Sequence, residues 1–219
     1  MKKNHKKIDH NKPLPDHTRL DYDECCAKLI LEELFPNQYC DLTLDDCPDL
    51  QGKDMGIEVT LSDYSDRQEA YSNWVKALNT DGIYREKHIE RLAQLNVTFT
   101  GGIQTMPYPD KTFDTTRKTI EAKIHKLKSG NYKTFERYEL FIFTDTWFSE
   151  EVLKEAFVYI FDGESGKCFE TIYVLSRGLT LHIFEPSKRK YRSIDIDPSE
   201  QTRRNLRARE MVEKAEEEQ

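Results

Sequence analysis

No run of eighteen or more apolar residues occurs in this 219-residue chain, and the lysine-rich N-terminus has no apolar segment behind it. The sequence therefore predicts neither a membrane-spanning helix nor a secretory signal, and a cytoplasmic protein is expected. Its five cysteines, Cys25, Cys26, Cys40, Cys47 and Cys168, form no Cys-x-x-Cys pair, which argues against a structural zinc site and for reduced, mostly packed thiols. The six histidines make no His-x-x-His or His-Glu-x-x-His pattern. Gly-x-Ser-x-Gly, a Walker loop and a dinucleotide fingerprint are missing too. A formal charge of −7 does not advertise duplex binding, which rests on clustered Lys and Arg.

What is present is enough for one sizeable domain. Eleven Tyr and eleven Phe supply core material, while 33% charged residues predict a heavily solvated surface. Charge is unevenly spread: residues 1–19 carry Lys2, Lys3, Lys6, Lys7, Lys12 and Arg19 against Asp9 and Asp16, and read as a basic, flexible segment. Residues 20–186 read as the folded domain. Residues 187–219 hold nine Lys or Arg and eight Asp or Glu with few apolar residues after Ile196. They read as a solvated, partly helical tail, starting at Pro198, that engages a protein partner or a second copy.

Along the chain, Cys25, Cys26, Leu29, Ile30 and Leu34 predict a helix over 22–35, capped by Asp21 or Asp23. Strands are expected over Tyr39–Leu44 and Met55–Leu61, joined as a hairpin through the 48–54 turn region. Helices follow over 63–79 and 85–96, then a short strand at 97–100 and a Gly101-Gly102 loop. A further helix runs through Ile120, Ile124 and Leu127, with Lys123 at the edge of its buried face and Lys126 pointing further out. The continuous apolar run Leu140–Phe143 predicts an interior strand. After a short helix at 149–156, strands are expected at Phe157–Phe161, Thr171–Leu175 and Leu179–Phe184. The predicted class is α/β, a mixed central sheet flanked by helices and lengthened by C-terminal strands.

The stretch the chain is organised around is Cys47-Pro48-Asp49, then Gln51-Gly52-Lys53-Asp54-Met55-Gly56, then Ile57-Glu58-Val59-Thr60. Period two puts Glu58 and Thr60 on one strand face and Ile57, Val59 and Leu61 on the other. Two carboxylates at the same end of neighbouring strands suit a hard divalent cation, which takes one or two protein carboxylates and fills its shell with water and phosphate.

Pro48-Asp49 followed by Glu58-Val59-Thr60 resembles the signature of the PD-(D/E)xK nuclease superfamily, with Thr60 standing where that family usually has lysine. The string Ile124-His125-Lys126-Leu127-Lys128-Ser129-Gly130-Asn131-Tyr132-Lys133, followed by Glu139–Phe143, is similar to a segment of uncharacterised bacterial members. The likeness covers about residues 22–145. It implies a restriction-endonuclease-like core and hydrolysis of nucleic-acid phosphodiester bonds. It also implies Mg²⁺ or Mn²⁺ held by Asp49, Glu58 and the carbonyl of Val59, with an acid from the first helix, for which Glu33 is the candidate. Lys123 would replace the missing strand lysine, and Thr60 would give only a hydrogen bond. Two alternatives stand beside this: Asp49 as a plain turn residue with Glu58 on a solvated strand face, or a nuclease fold that binds nucleic acid or protein without cutting.

Overall fold

The computed structural model describes residues 14, 17–62, 65–95, 97, 99–100, 103–104, 112–130 and 133–217. Its elements in order are α1 (Tyr22–Leu34), β1 (Thr43–Leu44), β2 (Leu50–Gln51), β3 (Met55–Leu61), α2 (Ser65–Asn79), α3 (Gly82–Gln94) and the two-stranded β4 (Phe99–Thr100) and β5 (Ile103–Gln104). There follow α4 (Asp114–Lys128), β6 (Arg137–Thr144), α5 (Glu150–Asp162), β7 (Thr171–Ser176), β8 (Thr180–Glu185), β9 (Lys190–Asp195) and α6 (Pro198–Glu217). The protein is α/β, with a mixed seven-stranded sheet in the order β1-β2-β3-β6-β7-β8-β9. The central neighbours β3–β6 and β6–β7 pair in parallel, and the other neighbouring pairs of this sheet are antiparallel.

Alternation along the central strands sorts two cores. Ile57, Val59, Phe141 and Tyr173 meet Ala27, Ile30 and Leu31 of α1 on one face. Leu140, Ile142, Ile172 and Val174 meet Ile120 and Ile124 of α4 and Val152, Ala156 and Ile160 of α5 on the other. Covering both faces is what makes Leu140, Phe141 and Ile142 fully buried. Each large apolar side chain so buried stabilises by about 1.5–3 kcal/mol before entropy is counted.

Several expectations are corrected. Phe157–Phe161 is not a strand but the second half of α5: Val152, Ala156 and Ile160 are buried at steps of four, and the rings of Phe157 and Phe161 stack one turn apart. A five-residue apolar run fits either element, and here the stripe begun at Val152 decides it. The expected strand over Tyr39–Leu44 is only Thr43–Leu44, and Leu50–Gln51 forms a strand of its own between it and β3, so a three-strand meander replaces the single hairpin.

Residues 187–217 continue the domain rather than trail from it. β9 pairs with β8, and α6 lies along α1, burying Ala208 and Val212 against Cys25, Cys26 and Leu29. The apolar side of that helix is thus covered within the chain. Before it, in the basic stretch Lys188-Arg189-Lys190-Tyr191-Arg192, Lys188 pairs with Glu185 and Arg189 with Asp162. Of the basic N-terminal segment, Lys2, Lys3, Lys6, Lys7 and Lys12 lie outside the described residues, as do Gly101 and Gly102; Arg19 bonds to the carbonyl of Ala215. Among the described residues no helix is long and apolar enough to cross a membrane.

Candidate functional site

The site begins with a close approach. Gly56 of β3 has no side chain because the Pro48 ring occupies that space: a Cβ there would lie 2.4 Å from Pro48 Cγ. The turn is further held by Gln51, whose Nε2 donates to the carbonyls of Asp46 and Pro48, and by Lys133, whose N–H donates to the carbonyl of Cys47. Antiparallel pairing of Leu50 with Ile57 then brings Asp49, the residue before β2, alongside Glu58 and Val59. Asp49 Oδ2 accepts the Val59 N–H at 2.6 Å.

The second contribution comes from α4. Ile120 and Ile124 anchor it in the core, which leaves Lys123 and Lys126, one turn apart, over β3. Lys123 Nζ lies 2.6 Å and Lys126 Nζ 2.8 Å from the same oxygen of Glu58, Oε1. Glu58 is only 3% exposed, so two cations answer one buried carboxylate. Lys123 Nζ also reaches the Val59 carbonyl at 3.5 Å.

A third contribution is the first turn of α1. Asp21 caps the helix by accepting the N–H groups of Asp23 and Glu24, and this turns Glu24 toward the strands. The resulting cleft is lined by Asp21, Asp23, Glu24, Asp49, Glu58 and Thr60 with Lys123 and Lys126. Burial, with Glu58 alongside, pushes the Asp49 carboxyl up to about 6, against the Val59 N–H and the two ammoniums. Burial and the charges of Asp49, Asp21, Asp46 and Glu58 push Glu24 up to about 8. Burial and Asp21 raise Asp23 to about 6. Carboxylates crowded in this way favour either protons or a bound cation.

Asp49, Glu58, Val59, Thr60 and Lys123 are therefore brought together at one cleft. The Thr60 hydroxyl lies 3.5 Å from the Leu61 carbonyl and supplies no charge. Glu33 is not part of this cleft, a correction to the expectation for α1. Its carboxylate is bound by Arg203, Arg204 and Arg207 of α6, and although burial alone would raise it, the hydrogen bonds and charges of Arg203 and Arg204 hold it below the usual carboxylate range. The acid that α1 does turn into the cleft is Glu24, which the sequence reading missed because Asp21-x-x-Glu24 reads as a helix start. Lys126, expected to point outward, reaches Glu58 instead; its three-residue offset from Lys123 was the available signal.

The donor set is chemically suited to a hard divalent ion: two carboxylates, a main-chain carbonyl and room for water. Among the described residues no three His, Cys, Asp or Glu side chains converge as a ready-made metal set, so protein ligands alone would not complete a shell. Magnesium does not require that, since it keeps several waters. Compared with protein-family models, curated proteins and solved structures, the chain matches none.

Proposed function

We propose that this chain is a metal-dependent phosphodiesterase acting on nucleic acid, on a restriction-endonuclease-like core. The observation that carries the reading is the meeting of Asp49, Glu58 and Lys123 at one cleft, from a strand meander and a helix about 65 residues later. Asp49, Glu58 and the Val59 carbonyl would hold Mg²⁺ or Mn²⁺. Bound there, such an ion polarises a phosphoryl oxygen and lowers the pKa of its water.

The chain's own groups do the rest. Val59 N–H fixes the Asp49 carboxylate in plane with β3. Lys123 sits with its stem against the α4 core, where its ammonium orients the attacking water and offsets charge gathering on phosphorus. Thr60 cannot take that role, having no charge to offer. Glu24 adds a further carboxyl to the cleft lining, able to hydrogen-bond a water there.

The test is cleavage of labelled DNA and RNA oligonucleotides with Mn²⁺, with EDTA, and with Asp49→Ala and Lys123→Ala variants. The reading expects Mn²⁺-dependent cutting that both variants lose while staying folded. A wild type that binds oligonucleotide but never cuts would instead make this a binding module on the same fold.

A further inference from the structure

Two ammonium groups share one oxygen of Glu58, and they are not equivalent. Lys123 has a side chain 19% exposed and a second approach to the Val59 carbonyl, whereas the Lys126 side chain is 45% exposed at the outer side of the cleft. Asp49 and Glu58 carry two negative charges, and Lys123 and Lys126 carry two positive ones. A divalent ion seated on Glu58 would meet two ammoniums within a few ångströms, in a site where burial weakens screening. One of them must withdraw, and Lys126 is the one with solvent to move into.

We infer that Lys126 is a cation-gated phosphate contact: it occupies Glu58 when no divalent ion is bound and is released to a nucleic-acid phosphate when one binds. The inference rests on the metal reading of Asp49 and Glu58, and adds an order to it, ion first and phosphate second. The phosphate engaged would be one beside the scissile bond, since a lysine acts as a point charge on a flexible stem and carries no base preference. Nucleic acid would thus be gripped only by protein already loaded for cutting.

The full chain can be tested as wild type, Lys126→Gln and Lys126→Arg, reading Mn²⁺ affinity by calorimetry and binding of a fluorescein-labelled DNA oligonucleotide by anisotropy. Oligonucleotide binding is measured across a salt series, in Ca²⁺ and in EDTA. Removing the competing ammonium should tighten Mn²⁺ about three- to tenfold in Lys126→Gln. In Ca²⁺ the same variant should lose about one phosphate contact from the slope of log K against log salt. In EDTA its slope should equal that of wild type, and Lys126→Arg should keep the wild-type slope in both.

Unchanged or weaker Mn²⁺ binding by Lys126→Gln overturns the inference, as does an equal loss of slope with and without Ca²⁺, which would make Lys126 an ordinary surface contact. A wild type that binds Mn²⁺ but no oligonucleotide in Ca²⁺ overturns it as well. If wild type binds no Mn²⁺ at all, the metal reading falls and takes this inference with it. If Mn²⁺ binding holds and only the Lys126 results fail, the metal reading survives alone.

Discussion

The Nζ of Lys123 lies 2.6 Å from Oε1 of Glu58, across 65 positions of sequence. The pair exists because β3 and β6 run parallel, so the chain must cross over one sheet face between them, and α4 is the last helix of that crossover. Glu58 points to that face because Leu140, its register partner, does. Lys123→Met should cost about 1–3 kcal/mol in denaturant unfolding, less than the rupture of an isolated buried pair because Lys126 still answers the carboxylate. The double variant Lys123→Met with Glu58→Gln should be less destabilised than the sum of the singles. Additive losses would mean that the two side chains do not interact.

Gly56→Ala tests the close approach that sets Asp49. A methyl group 2.4 Å from Pro48 Cγ and 3.0 Å from a ring carbon of Phe135 must displace the Pro48 turn. A loss of about 1–3 kcal/mol is expected from such overpacking, together with weaker Mn²⁺ binding. Wild-type stability and Mn²⁺ affinity would show that the turn is not set by this contact.

Arginines 203 and 204 both hold Glu33, and they should differ sharply. The Arg204 side chain is 6% exposed and that of Arg203 46%. Arg204→Met should cost about 2–4 kcal/mol, since it strips a buried partner from Glu33 where α6 lies on α1. Arg203→Ala, at a solvated pair, should cost under about 1 kcal/mol. Equal effects, read by thermal unfolding of each variant, would refute this account of how α6 is held.

Much of this was legible in the sequence, and the failures have physical causes. Period two at Ile57–Leu61 and the unbroken apolar run at Leu140 located the two central strands: both are covered on both faces, but β3 turns the polar Glu58 and Thr60 to the face that β6 fills with Leu140 and Ile142. Asp49 and Glu58 were legible as a carboxylate pair at the Pro48-Asp49 turn, and Lys123 at the edge of the α4 stripe was the candidate the resemblance implies; Glu24 and Lys126 were not legible as part of the cleft. The run at Phe157 was ambiguous in period, and only its continuity with Val152 made it helix. Glu33 was the candidate only because the family resemblance implies an acid from the first helix. The arginines that claim it lie 170 residues away, and no local pattern announces a partner at that distance.

Outside the cleft, Glu139 gives a pH dependence of fixed sign. Tyr39 O–H donates to Glu139 Oε2 at 2.5 Å and shares a hydrogen bond with the Tyr173 hydroxyl. Burial pushes the Glu139 carboxyl from 4.5 up to about 7, although the Tyr39 hydrogen bond and Arg137 pull it down. The folded state therefore binds this proton more tightly than the unfolded chain. Its contribution to stability is complete below pH 4.5 and is lost as pH rises through about 7. Asp23, Asp49 and Glu24 are raised too and tilt the profile the same way. Glu139→Gln should flatten the wild-type decline by about 2–3 kcal/mol, measured by urea unfolding at a series of pH values. A variant profile parallel to wild type would place the titration elsewhere.

The central claim is that Asp49 and Glu58 hold one divalent ion between them, and Mn²⁺ paramagnetic resonance reads this without any turnover. Titrating wild type near pH 8 should quench the free-ion signal to one Mn²⁺ per chain, and Asp49→Asn and Glu58→Gln should each restore the free signal at the same concentrations. A wild-type titration that overlays those of both variants would contradict the claim.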